Sequence, residues 1–141
     1  METLASGTAI ARQARERLAG AAVNSSALAL LDPATLTAEA VFEAAAQGDG
    51  LAQQVIDTTC RALAVGIANL LHVFNPDVVA LGGGVTRGLK RLNLLPRLHD
   101  LATAQAISPR YGQLRLEASL LNDDVGLIGA ASLVWQMLNR G

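Results

Sequence analysis

The sequence is poor in aromatic residues, holds one cysteine and carries almost no net charge. Aromatic types make up 3% of the 141 residues while apolar types reach 51%, so a core has to be built from Ala, Leu, Val and Ile, the set that lets helices cover a sheet. A chain this apolar is not expected to be disordered. The formal net charge of −1 leaves no electrostatic case for binding nucleic acid or an anionic membrane. Cys60 has no cysteine to pair with, and no basic stretch followed by an apolar run and a cleavage site opens the chain; a reducing cytoplasm is the expected setting. The longest strongly apolar stretch, Ala62 to Phe74, is interrupted by Asn69 and His72 and falls short of the roughly 20 residues that span a bilayer.

What is present divides into a helical first half and a βαβα second half, together one α/β domain over residues 1–141, without repeats or low-complexity linkers. Ser6 or Thr8 can cap a first helix reaching about Ala22, with Ile10, Ala14 and Leu18 at four-residue spacing. Asp32-Pro33 marks a turn, and Thr37 caps a short helix through about Gln47 whose Glu39 favours the positive dipole end. Gly48-Asp49-Gly50 ends it. The longest helix runs from Leu51 to Phe74, with Ile56, Cys60, Leu63, Ile67, Leu70 and Phe74 spaced 4, 3, 4, 3, 4, and is expected to be central. Asn75-Pro76 stops it, because proline disfavours helical geometry in the residue before it. A β-branched run follows. Leu89 to Ala104 reads as helical, with Pro96 either opening a helix or kinking one. Two strands are expected, at Val78 to Leu81 and at Leu114 to Ala118, and Asp124 is placed to cap a last helix through about Leu138. Near its start Gly126, Gly129, Ala130 and Ala131 allow a close approach, for which ordinary packing is sufficient reason.

The stretch from Pro76 to Gly84, Pro-Asp-Val-Val-Ala-Leu-Gly-Gly-Gly, carries the functional signal. A short apolar strand runs straight into three residues without Cβ, which lets the backbone take positive φ and come within contact distance of a ligand. In open α/β sheets such strand-to-helix turns lie at the carboxyl edge, where nucleotides and phosphates bind. Glycines also serve tight turns for purely local reasons, so the surroundings decide.

Four ordered motifs resemble the carboxyl-terminal half of the ROK family: Ala-Ser-Gly-Thr-Ala-Ile-Ala-Arg at 5–12, Asn75-Pro76-Asp77, Leu81-Gly82-Gly83-Gly84-Val85, and Asp-Val-Gly-Leu-Ile-Gly-Ala-Ala at 124–131. That family comprises bacterial sugar kinases and sugar-responsive transcriptional repressors, and its fold is the two-lobed, ribonuclease H-like type of actin and hexokinase. The resemblance implies that this chain is the carboxyl-terminal lobe of a glucokinase-like enzyme, with Gly82, Gly83, Gly84 and Val85 against the adenosine of ATP. Thr86 and Arg87 are candidates for ribose or phosphate, though exposed loop residues need no such role. Glu2 resembles in position a glutamate that contacts the hexose in related kinases.

The resemblance also implies what lies elsewhere. In ROK kinases an amino-terminal lobe supplies an Asp-x-Gly-x-Thr phosphate loop and an Asn-Asp pair whose aspartate is the general base; the resemblance places both outside these 141 residues, so no catalytic residue is assigned and the chain alone is expected to be inactive. ATP, with Mg²⁺ in the complete enzyme, is the expected cofactor, and zinc is not expected because Cys60 sits on an apolar helix face. A strand edge left without the lobe's further strands predicts a homodimer or larger assembly. The alternatives are the effector-sensing part of a ROK repressor and a truncated dimerisation unit. Among other polar residues, His72 reads as structural, His99 as a solvated helix residue, Asp123-Asp124 as a cap rather than a metal site, and Arg12, Arg15 and Arg17 as a solvated helix face.

Overall fold

The computed structural model describes residues 2–20, 26–107, 113–120 and 124–139. The helices are α1 (Glu2–Ala5), α2 (Gly7–Gly20), α3 (Ala38–Ala46), α4 (Gly50–Phe74), α5 (Gly84–Arg91), α6 (Leu95–Thr103) and α7 (Val125–Leu138); the strands are β1 (Val78–Leu81) and β2 (Arg115–Ala118). A short 3₁₀ turn covers Ala27–Leu30. The expected end of the first helix at Ala22 lies outside the described residues.

Local chemistry sets the boundaries. The Ser6 hydroxyl accepts from the Ala9 amide at 3.1 Å and caps α2. Thr37 accepts from the Ala40 amide and caps α3. At the far end of α3, Gly48 takes φ +89, and the amides of Gly48 and Asp49 close back onto the carbonyls of Ala45 and Ala44, a Schellman stop. Asp49 then caps α4 through the Ala52 amide at 2.9 Å. The same carboxylate accepts from the Ser26 hydroxyl at 2.8 Å and the Ala27 amide at 2.7 Å, so one residue joins three segments. Burial alone would raise its pKa, but the donors at Ala52, Ser26, Ala27 and Leu51 outweigh it and hold the carboxyl below its usual value. Asn75, at φ +44, ends α4 in the left-handed conformation before Pro76.

Helix α4 is the spine of the core, packed by α1, α2, α3 and α6. Its buried stripe runs through Val55, Ile56, Thr59, Cys60, Leu63, Ala64 and Ile67 to Leu71. The expected continuation through Leu70 and Phe74 does not hold: these are 39% and 72% exposed. Burial raises the pKa of the Cys60 thiol, with Arg97 opposing and Asp57 adding to the shift. Asp57 accepts from Arg61 on its own helix and from Arg97 on α6, which lowers its pKa against a smaller effect of burial and ties α4 to α6.

The sheet is two parallel strands, Val78 opposite Arg115 through Leu81 opposite Ala118, and the Ser119 amide extends the ladder to the Leu81 carbonyl. Its inner face, Val79, Leu81 and Leu116, rests on the core. Between the strands the chain forms two helices, the second opened by Pro96, and the helical stretch expected from Leu89 begins earlier. Helix α5 begins at Gly84, and a second Schellman stop at Asn93, φ +52, separates it from α6, with the amides of Asn93 and Leu94 bonded to the carbonyls of Lys90 and Leu89. Pro96 sits in the first turn of α6. Helix α7 has the expected span, but Asp124 makes no side-chain cap hydrogen bond, and Leu127, Leu133, Trp135 and Met137 of that helix are largely exposed.

Candidate functional site

The turn after β1 is held by its own backbone. Gly83 takes φ +90 and ψ 176, a conformation essentially reserved for glycine. Its carbonyl accepts from the Thr86 amide, and the Thr86 hydroxyl, buried, donates to the Gly82 carbonyl at 3.1 Å. Thr86 thus fixes the turn from beneath. Because Gly83 occupies the cap position without a side chain, the first-turn amides of α5 have no side-chain cap.

Two hollows flank this helix start. The larger, about 240 Å³, is lined by Gly7 from α2, by Ala38, Glu39 and Phe42 from α3, and by Gly84, Val85, Arg87, Gly88 and Arg91 from α5. The smaller, about 80 Å³, lies between Leu81, Gly82, Gly83, Thr86, Arg87, Lys90 and Ser119. Arg87 borders both. Of the six residues expected around the glycine turn, Gly84, Val85 and Arg87 line the larger hollow and Gly82, Gly83, Thr86 and Arg87 the smaller, and Gly7 of the first motif comes to the larger from across the chain. The Glu2 backbone opens α1, while its side chain and Asp123 lie outside the described residues.

Several lining residues escaped the sequence reading. A Cβ on Gly88 would stand 2.4 Å from the Phe42 ring, so α5 lies directly on that ring, and Arg91 pairs with Glu43 beside it. Two glycines one helical turn apart, Gly84 and Gly88, were the available signal for such a close approach. Glu39 favours the α3 dipole as expected, but its Oε1 also stands 3.9 Å from where a Cβ on Gly84 would lie.

The remaining candidates sort plainly. His72 is exposed and accepts from the Ile107 amide at 3.3 Å. His99 is not a solvated residue: half-buried, its Nε2 donates to the Leu114 carbonyl at 3.0 Å and pins α6 to the start of β2. Arg12 pairs with Glu16, Arg15 donates to the Ala11 carbonyl, and Arg17 reaches Gln54 and Thr58 on α4. Among the described residues no group of three or more His, Cys, Asp or Glu is arranged to hold a metal ion, and no described helix is long and apolar enough to cross a membrane.

A parallel strand pair whose first strand passes through a glycine turn into a helix without a side-chain cap, beneath a helical layer, defines an α/β domain. The chain is a member of the ROK family, whose model matches residues 1–137. It is 35% identical to a glucokinase of Thermotoga maritima over 95% of this chain and 42% of that protein. The structure of a ROK family glucokinase from Streptomyces griseus, in complex with glucose and AMPPNP, superposes with a TM-score of 0.77 at 28% identity, covering 94% of this chain and 43% of that one. A ROK family transcriptional regulator, a homologue of the E. coli MLC protein, is 32% identical with a TM-score of 0.69 over 83% of this chain and 28% of its own. The chain thus spans less than half the length of the relatives it matches, and those relatives include both kinases and regulators.

Proposed function

We propose that residues 1–141 are the carboxyl-terminal, nucleotide-binding domain of a cytoplasmic ROK sugar kinase that transfers a phosphoryl group from ATP to a hexose. The observation that carries this reading is the cleft between α3 and α5, which Gly84 lines and which shares Arg87 with the smaller hollow lined by Gly82 and Gly83. The residues present fit a nucleotide. Val85 and the Phe42 edge offer an apolar surface, Gly84 leaves space that a Cβ would take, and Arg87 and Lys90 with the first-turn amides of α5 suit phosphate oxygens. The glucokinase relatives and the AMPPNP complex of one of them support the same ligand.

In this reading Gly82, Gly83, Gly84 and Val85 lie against adenosine, Thr86 holds the turn in shape, and Arg87 faces the ribose–phosphate portion. Glu2 is proposed, from its position in the family pattern alone, to contact the hexose. Mg²⁺ accompanies ATP in the complete enzyme and spreads the charge of the transferring phosphate. Phosphoryl transfer also requires a base on the acceptor hydroxyl and a grip on the γ-phosphate. This chain is assigned neither; its part is to position the nucleotide. Likeness to a regulator supports a second reading, an effector-sensing domain in a repressor, and an upstream helix-turn-helix in place of an Asp-x-Gly-x-Thr loop decides between them.

Calorimetry on the 141-residue chain tests the reading. ADP and ATP are expected to bind with similar affinity, about −4 to −5 kcal/mol, because the γ-phosphate is assigned no partner here, and adenosine more weakly because it lacks the phosphates that Arg87 and Lys90 suit. No heat of binding with any of them at millimolar concentration removes the nucleotide assignment. In a coupled assay the same chain is expected to leave glucose and ATP unconverted; turnover, with host kinases excluded, overturns the division of roles.

A further inference from the structure

The larger hollow carries a charge that a phosphate site would not want. Glu39 faces the glycine turn from the opposite wall, its Oε1 3.9 Å from the position of a Cβ on Gly84. One turn further along α3, Glu43 is occupied: Arg91 pairs with it and the Gln47 amide donates to it at 3.1 Å. Glu39 makes no hydrogen bond or ion pair among the described residues. A carboxylate at the dipole-favoured start of a helix offers hydrogen-bond acceptors. It repels phosphate and suits a ligand group that brings two hydrogens on one edge. Of the basic side chains bordering the larger hollow, Arg91 is paired with Glu43 and Arg87 is shared with the smaller hollow, which also holds Lys90.

That polarity orients a nucleotide across the turn, with phosphates toward Arg87 and Lys90 and the uncharged portion toward α3. The portion joined directly to the phosphates is the ribose, and its 2′- and 3′-hydroxyls are both donors on one edge. We propose that Glu39 reads the ribose, its carboxylate accepting from the cis-diol, so that the site selects ribonucleotides over deoxyribonucleotides. The same logic serves in dinucleotide-binding folds, where an acidic residue accepts from a ribose 2′-hydroxyl. The inference rests on the cleft being the nucleotide site, and it adds a wall that the glycine motif does not contain.

The test compares ADP with 2′-deoxy-ADP on the full 141-residue chain and on Glu39→Ala and Glu39→Gln, with circular dichroism as the fold check. ADP is expected to bind the unaltered chain about tenfold more tightly than 2′-deoxy-ADP, the order of one hydrogen bond to a charged group. In Glu39→Ala that ratio falls to about one because ADP loses affinity while 2′-deoxy-ADP is less affected, and Glu39→Gln lies between. Equal binding of the two nucleotides to the unaltered chain overturns the ribose assignment and leaves the cleft standing as a nucleotide site. A tenfold preference that persists in folded Glu39→Ala also overturns it, since another group must then read the sugar. Absence of binding by either nucleotide removes the nucleotide reading and this inference together.

Discussion

Replacing Gly83 by alanine puts a methyl group into open space, since nothing lies within 4 Å of the added carbon. The cost is conformational. At φ +90 and ψ 176 an L-residue is strained by about 1–3 kcal/mol, which for a domain of this size lowers the melting temperature by about 3–12 °C. Gly84→Ala is the opposite case. Gly84 is the first residue of α5 with no positive φ to lose, so alanine leaves folding intact, while its methyl enters the cleft 3.9 Å from Glu39 Oε1. Gly84→Leu reaches further in and fills the space assigned to the nucleotide. The pair of variants separates the shape of the turn from occupancy of the site, which Gly83→Val, strained whatever the space, does not. Thermal melts by circular dichroism, run beside calorimetric titration with ADP, give both readouts. Gly83→Ala is expected to melt early and, below its melt, still bind; Gly84→Leu is expected to melt near the unaltered chain and not bind. Wild-type melting of Gly83→Ala refutes the strain argument, and wild-type affinity in folded Gly84→Leu places the nucleotide elsewhere.

Gly88→Ala drives a Cβ into the Phe42 ring and is expected to cost about 1–3 kcal/mol in urea unfolding, with partial recovery in the Phe42→Leu, Gly88→Ala double variant; a neutral Gly88→Ala would show that the ring does not set the α3–α5 separation. Asp49→Ala removes the cap of α4 and is expected to cost about 1 kcal/mol at neutral pH. Since the folded-state pKa of Asp49 is lowered, the charged part of this stabilisation is present above the ordinary value near 3.8 and is lost as pH falls through the lowered one, so unfolding curves of the two chains should draw together in acid and not in alkali. The apolar residues exposed on α7, Trp135 at 70% among them, predict self-association of the isolated chain; sedimentation showing a monomer at micromolar concentration contradicts it.

Much of the framework was legible because it rests on local chemistry. Thr37, the glycine stop at Gly48 and the Asn75-Pro76 break act within a few residues of themselves, and the helices they bound fall where the sequence places them. The failures have specific causes. The 4, 3, 4, 3, 4 spacing along α4 averages one full helical repeat, so the pattern carries the apolar stripe to the end of the helix, but burial passes from Ile67 to Leu71 and leaves Leu70 and Phe74 exposed where the last turn lacks cover. Helix α5 was masked by its own glycines, which argue against helix by propensity but are tolerated where α5 begins. The break at Asn93 hid among leucines. At the site, the glycine turn was readable because strand, glycines and helix are contiguous. Its opposite wall was not: Glu39 and Phe42 are ordinary surface and core positions of α3 until tertiary packing sets them against α5.

The two walls of the cleft are anchored differently. Helix α3 is welded to the spine, because the residues that end it also begin α4, and Asp49 fastens that corner to Ser26 and Ala27 as well. Helix α5 is slung between two positive-φ joints, Gly83 and Asn93, and leans on α3 through the Phe42 ring and the Arg91–Glu43 pair. A substitution that widens or narrows the cleft therefore acts on unequal walls: one at the α3–α4 corner disturbs the core, whereas one at Phe42 or Gly88 resets the α3–α5 spacing and with it the distance from Glu39 to Arg87 and Lys90.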